Sequence, residues 1–178
     1  TPKTSFAKAF REDHWFNISA IDVYDLTAKS IAIIGNSITD GKNSTNNAQN
    51  RWPDILSEVL QKKQGVTDVG VLNLGIGNNR VTMKGGFGFM ARERFNRDIL
   101  SQRGVRAVVI FEGVNDIGAA AFGQSETVAN DLIQAYEEMI RKAKERNLRV
   151  YLGTITPFKG AGYYSAFHEA ARQTVNQW

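Results

Sequence analysis

The chain has 178 residues and contains no cysteine, only three prolines and only two histidines. The lack of cysteine excludes a disulfide framework and a thiolate metal site, and it leaves the cellular compartment open. With His14 and His168 as the two histidines, the sequence has no His/Asp cluster at the spacing of metal ligands. We therefore expect no metal and no organic cofactor.

Long apolar runs and dense runs of one charge are also missing. No stretch approaches the roughly 20 apolar residues that a membrane-spanning helix needs. The net charge is +4, from 22 basic and 18 acidic residues, and the densest basic cluster, residues 141–146, includes a glutamate. We therefore expect neither a membrane span nor a nucleic-acid interface.

The sequence does contain a regular alternation of strand-like and helix-like segments. Four continuous apolar runs have the character of buried strands, at residues 30–35, 69–75, 106–113 and 148–155. Apolar residues recur at helical spacing in the segments after them, at residues 51–65, 89–104, 125–147 and 163–178. This order predicts an α/β fold, a flavodoxin-like three-layer α/β/α sandwich with a parallel sheet.

Residues 1–30 lack this regularity. We interpret them as an irregular N-terminal segment, of the kind that ends a region lying upstream. The α/β domain is then predicted to occupy residues 31–178, with no internal repeat and no low-complexity linker.

Polar, glycine-rich stretches follow the first three predicted strands, and in parallel sheets such strand ends meet at one edge. A serine exposed there, next to hydrogen-bond donors for an oxyanion, suits a nucleophile. The candidate donors are the backbone N–H groups of Ser37 and Asn78 and the side-chain amide of Asn115. Taken singly, these stretches also fit ordinary turns and a helix cap.

Three stretches, "IIGNSITDG", "NLGIGNNR" and "EGVNDIG", resemble in order and separation the blocks of the SGNH hydrolases, the GDSL esterase and lipase family. The resemblance implies that Ser37 is the nucleophile and that Asn78 and Asn115 help to bind the oxyanion. The adjacent residues are then candidates for substrate binding: Asn36, Gly77 and Asp116.

The same resemblance implies a small acyl ester, on a sugar or a lipid, as the substrate. The segments "RWPDIL", "RFNRDIL" and "TITPFKGAGYYS" are similar to secreted-type bacterial esterases of this family. This similarity favours a secreted or periplasmic location.

Two positions depart from the family pattern inside the matched blocks. Asn36 stands where aspartate is usual, so the side chain keeps its shape and an acceptor but loses the charge. Asn78 stands where glycine is usual. Because asparagine is the non-glycine residue best suited to left-handed backbone angles, we expect its N–H to keep its direction.

The third departure concerns the general base. Family members carry a late Asp-x-x-His block after a fifth strand, and this sequence has none. We therefore expect a chain truncated at its C-terminus, with four of five strands, poorly active alone and dependent on a histidine from downstream or from a partner chain. His14 and His168 are expected to be surface or packing residues. The fourth strand should be an exposed edge that invites pairing with another chain.

Three functions fit these observations to different degrees. The leading hypothesis is a serine ester hydrolase that forms an acyl-enzyme on Ser37. The alternative is a catalytically inactive binding module on the same fold, which would explain Asn36, Asn78 and the absent base together. A phosphate-binding flavodoxin-like protein is disfavoured, because "GIGNNR" falls short of Gly-x-Gly-x-x-Gly and no Gly-Lys-Ser/Thr occurs.

Overall fold

The computed structural model describes residues 22–62 and 66–178, which contain a four-stranded parallel sheet. The strand order is β2-β1-β3-β4. The strands are β1 (Lys29–Gly35), β2 (Val69–Gly75), β3 (Val105–Phe111) and β4 (Arg149–Leu152). All four strands were predicted, and the parallel α/β architecture is confirmed.

Helices connect the strands and cover both faces of the sheet. They are α1 (Ser37–Asp40), α2 (Trp52–Lys62), α3 (Ala91–Phe95), which continues as a π-helical turn (Asn96–Leu100), α4 (Val114–Ala119), α5 (Ser125–Glu145) and α6 (Ala166–Gln177). The sequence predicted α2, α3, α5 and α6. It indicated only turns or caps at α1 and α4, because helices of four and six residues are too short to show an apolar period.

The main core lies between the sheet and the helices α3, α5 and α6. Alternate residues of β1 and β3, such as Ala32 and Ile110, are buried on this face together with the apolar side of α5. That side contains the residues at the predicted helical spacing, Val128, Leu132, Tyr136, Met139 and Ala143. Because β1 lies between two strands, its residues Ala32–Ile34 are fully buried, as a continuous apolar run predicts.

The opposite face of the sheet is covered by α1 and α2. The Trp52 ring, at the start of α2, packs edge-on against Phe111 at the end of β3. The apolar pattern of α2 is only partly buried, because Ile55 and Val59 are exposed. Helical spacing thus predicted the helix but does not say how much of its apolar side is covered.

Several expectations concern the ends and edges of the domain. Residues 1–21, which include His14, lie outside the described residues, and residues 22–28 form neither helix nor strand. Within residues 22–62 and 66–178, no helix has the length and apolarity that crossing a membrane requires. In the same ranges, no three or more His, Asp or Glu side chains are grouped as metal ligands would be.

Candidate functional site

A cleft of about 670 Å³ opens at the carboxyl ends of β1, β2 and β3. The three residues predicted to be catalytic, Ser37, Asn78 and Asn115, all line it. The remaining lining residues are Asp40, Lys42, Gly77, Arg80, Phe87, Val114, Gly118, Ala119 and Tyr163. The sheet therefore brings together three segments that are about 40 residues apart along the chain.

The first segment is the loop between β1 and α1. Asn36 is buried and caps α1, because its side-chain Oδ1 accepts a hydrogen bond from the Ile38 N–H at 3.0 Å. The amide thus provides the capping bond without the charge of an aspartate. Ser37 begins α1, is half-buried and lines the cleft, whereas the Asn36 side chain does not reach the cleft surface.

Helix α1 lies directly against the ends of β1 and β2, and two glycines make this approach possible. A Cβ atom at Gly35 would overlap the Thr39 side chain, and one at Gly75 would overlap the Asp40 backbone nitrogen. The Asn73 side chain also donates to the Thr39 carbonyl oxygen at 2.8 Å. The position of Ser37 is therefore fixed by contacts with both strands.

The second segment follows β2. Asn78 has φ +53°, the left-handed conformation expected for an asparagine in place of glycine. Gly77 lines the cleft, but its N–H donates to Asp40 Oδ2 at 3.1 Å and is therefore committed to the protein. No described residue accepts a hydrogen bond from the Asn78 N–H or from the Ser37 N–H.

The third segment contains Asn115, near the start of α4. One N–H of its side-chain amide donates to the Asn79 carbonyl oxygen at 2.9 Å. Since a carboxamide has two N–H donors, the second remains for a molecule in the cleft. The bond to Asn79 also ties the third segment to the second.

Asp116 was predicted to bind substrate, but its side chain is fully buried and does not line the cleft. Its carboxyl group accepts hydrogen bonds from the backbone N–H groups of Val81, Thr82 and Met83, at distances of 2.8–3.2 Å. Burial raises the pKa of Asp116, and these N–H donors oppose that effect. The carboxyl group therefore holds the backbone of the loop after β2 in place.

Some residues of the cleft were not anticipated from the sequence. Asp40, Lys42 and Arg80 lie within or next to the matched blocks, and their polar character was the available signal. Phe87 comes from a loop without a periodic pattern, and Tyr163 was assigned to the last predicted helix, which begins only at Ala166, so no sequence signal placed either near Ser37.

A second unanticipated group lies beneath the cleft. The side chains of Arg94 and Glu112 are both almost completely inaccessible, with Arg94 Nη2 3.7 Å from Glu112 Oε1. Burial raises the pKa of Glu112 well above its ordinary value of 4.5, and the positive charge of Arg94 opposes this. The available signal was a charged residue, Arg94, between the apolar positions Ala91 and Phe95 of one helix.

The described part of the chain places no histidine in the cleft. His168 is buried, and its ring nitrogens Nδ1 and Nε2 lie 2.6 Å and 3.0 Å from the carbonyl oxygens of Tyr163 and Ala120. It connects α6 to the end of α4 and is a packing residue, as predicted. His14 lies outside the described residues.

Solved structures of SGNH and GDSL proteins share this fold. A GDSL-family lipolytic protein from Desulfitobacterium hafniense DCB-2 is 21% identical, with a TM-score of 0.60 over 84% of this chain and 69% of its own. A lipase/acylhydrolase from Enterococcus faecalis is 21% identical, with a TM-score of 0.59 over 84% of this chain and 70% of its own. AlinE4, an SGNH-hydrolase family esterase, is 17% identical, with a TM-score of 0.55 and coverages of 81% and 72%.

Sequence comparison defines the family independently of these structures. The family model of the GDSL-like lipase/acylhydrolases matches residues 33–178, which include all three segments of the cleft. A comparison with curated protein sequences gave no significant match. The chain belongs to the GDSL-like lipase/acylhydrolase family.

Proposed function

We propose that the protein is a serine ester hydrolase that cleaves small acyl esters, of a sugar or a lipid, through an acyl-enzyme on Ser37. The observation that carries this proposal is the convergence of Ser37, Asn78 and Asn115 on one cleft. Membership of a lipase/acylhydrolase family supports ester chemistry in general.

In the proposed reaction, Ser37 Oγ forms a bond to the ester carbonyl carbon, and the carbonyl π electrons move onto the oxygen. The resulting oxyanion accepts hydrogen bonds from the N–H groups of Ser37 and Asn78 and from the second N–H of the Asn115 amide. A single donor of this kind is worth about 100- to 1,000-fold in rate. Collapse of the intermediate releases the alcohol, and attack by water then releases the acid.

The proton of the Ser37 hydroxyl needs an acceptor, because a neutral serine is a weak nucleophile. Since no histidine in the described ranges lines the cleft, we propose that the base comes from outside these residues. Unless such a base reaches the cleft, ester turnover is expected to be slow.

Chemical rescue tests this proposal. We expect hydrolysis of p-nitrophenyl acetate by the chain to be slow, and to rise when free imidazole is added as an external base. The rise that depends on Ser37 is the rate of the unaltered chain minus that of Ser37→Ala at the same imidazole concentration. Ser57→Ala, in α2, is the matched control and should behave as the unaltered chain does.

A fluorophosphonate probe provides a second readout, since it reacts with activated serines. With free imidazole present as the base, mass spectrometry should locate the label on Ser37, and Ser37→Ala should remove it. If neither labelling nor an imidazole-dependent rate requires Ser37, the hydrolase proposal is rejected.

The alternative is a binding module without catalysis. It is favoured by Asn36, by Asn78 and by the lack of a histidine in the cleft among the residues described. In that case, ester ligands such as acetylated sugars should raise the melting temperature of the chain, and Ser37→Ala should leave this increase unchanged.

A further inference from the structure

Arg94 is a buried arginine that the proposed reaction does not use. Its side chain is only 1% exposed, and its guanidinium donates to three acceptors outside its own helix. Nη2 donates to the Gly35 carbonyl oxygen at 3.3 Å, Nη1 to the Leu74 carbonyl oxygen at 2.8 Å, and Nε to Asn79 Oδ1 at 3.1 Å.

These three acceptors belong to the segments that form the cleft. Gly35 ends β1 two residues before Ser37, Leu74 lies at the end of β2, and Asn79 follows Asn78 directly. One side chain therefore fixes the first and second segments relative to each other.

Asn79 extends this connection to the third segment. Its side-chain Oδ1 accepts from Arg94, and its backbone carbonyl oxygen accepts from the Asn115 amide at 2.9 Å. Its own side-chain N–H groups donate to the carbonyl oxygens of Phe87 and Phe89, at 2.7 Å and 2.9 Å. Because Phe87 also lines the cleft, a displacement of Asn79 would move both Asn115 and the part of the cleft wall that Phe87 forms.

The chemistry of this position suits arginine specifically. A guanidinium holds five N–H donors in a rigid planar fork, whereas a lysine ammonium is a compact charge on a flexible stem. A buried charge is costly unless it is paired, and the Asp98 carboxylate lies 3.1 Å from the guanidinium. An apolar residue would fill the space, but it would remove all three of these hydrogen bonds and leave the Asn79 Oδ1 without the donor that Arg94 provides.

We propose that Arg94 is a positioning residue, which aims the Asn115 amide and the Asn78 loop at the oxyanion that forms above Ser37. The inference rests on the proposed hydrolase function for its catalytic consequence. The positioning itself concerns the geometry of Asn115 and can be measured without catalysis.

The test compares Arg94→Met and Arg94→Lys with Arg92→Met. Arg92 is on the same helix, but it is partly exposed and contacts Glu138 at 3.9 Å, so it is a matched control. Two quantities are measured in each folded variant. One is the rate of fluorophosphonate labelling at Ser37 over a range of reagent concentrations. The other is the position of the Asn115 side-chain amide signals in nitrogen–proton correlation spectra, assigned through their loss in Asn115→Ser.

We expect the maximal labelling rate of Arg94→Met to fall about 100-fold, the size of effect that a misplacement near 1 Å produces. The reagent concentration for half-maximal rate should change little, and the Asn115 amide signals should shift. The labelling rate of Arg94→Lys should lie between those of Arg94→Met and the unaltered chain, since lysine keeps the charge but not the planar fork of donors. Arg92→Met should match the unaltered chain.

The outcomes separate this proposal from the proposed function. If neither labelling nor an imidazole-dependent rate requires Ser37 in the unaltered chain, the hydrolase proposal fails, and the Asn115 signals alone decide the role of Arg94. Unmoved Asn115 signals in Arg94→Met overturn the positioning proposal, as does an unchanged labelling rate when the unaltered chain is labelled. If both Arg94 variants fail to fold, Asn79→Ala replaces them, and unmoved Asn115 signals there overturn it equally.

Discussion

Glu112 is a buried residue whose protonation the fold alters. Its carboxyl group lies beneath the cleft and is completely inaccessible, with Arg94 Nη2 3.7 Å from Oε1. Burial raises its pKa well above 4.5, so the folded protein keeps this proton at pH values where the unfolded chain has lost it. From pH 4.5 up to the raised pKa, the unfolding free energy must therefore fall as the pH increases.

Replacing Glu112 by glutamine should remove this part of the pH dependence. One such group contributes a slope of at most about 1.4 kcal/mol per pH unit, which Glu112→Gln should eliminate above pH 4.5. The measurement is urea unfolding at several pH values from 4.5 to neutrality. Glu145→Gln, on the exposed end of α5, should keep the slope of the unaltered chain. Equal slopes for Glu112→Gln and the unaltered chain would contradict the raised pKa.

Among individual residues, the sequence predicted the exposed polar residues of the site better than the buried ones. Ser37 and Asn115 follow apolar strands, and that placement alone predicted that they face a common cleft. Arg94 and Glu112 could not be predicted in the same way, because their burial depends on acceptors supplied by distant segments. Asp116 was recognised as part of a block, but its direction into the protein is set by the loop at 81–83.

At the scale of secondary-structure elements, the contact of α1 with β2 controls where Ser37 lies. We predict that Gly75→Ala displaces α1, because the new Cβ would overlap the Asp40 backbone nitrogen, which cannot rotate away as a side chain can. The variant should unfold at a lower urea concentration, and fluorophosphonate labelling of Ser37, if present in the unaltered chain, should slow.

Gly70→Ala is the matched control for this prediction. Gly70 lies in the same strand, and a Cβ atom there would be 3.6 Å from Ser30 Oγ, an ordinary contact distance. Similar losses of stability in both variants would indicate a general cost of removing glycine from β2. Such a result would count against a specific contact with α1.

The long helices were predictable and the shortest ones were not, for a physical reason. Helix α5 has 21 residues and repeats its apolar face several times, whereas α1 has four and depends on the Asn36 cap. Helix α2 shows what apolar periodicity leaves undetermined. Its pattern predicted a buried face, but periodicity does not say how much of that face a neighbouring element covers.

At the scale of the whole molecule, the outer edge of β4 is the most exposed part of the sheet. No strand among the described residues pairs with this edge, and Tyr151 and Leu152 on β4 are exposed. Unpaired backbone groups next to apolar side chains favour the addition of another strand. We therefore predict that the 178-residue chain self-associates as its concentration increases.

Sedimentation velocity over a range of concentrations measures this association. Tyr151→Lys should shift the distribution towards monomer, because a lysine on an edge strand opposes pairing. Phe122→Lys removes an even more exposed aromatic residue from the loop after α4 and should leave the association unchanged. Association that responds equally to both substitutions would point to general hydrophobic contact in place of strand pairing.

The strand order has a further consequence for how the cleft arises. The chain runs from β1 to β2 on one side and then returns past β1 to β3 on the other, so its connections diverge at the carboxyl end of β1. Such a topological switch point leaves a crevice whatever side chains surround it. New substrate preferences could thus be engineered by exchanging residues on the three bordering loops, while the parallel sheet and its packing stay untouched.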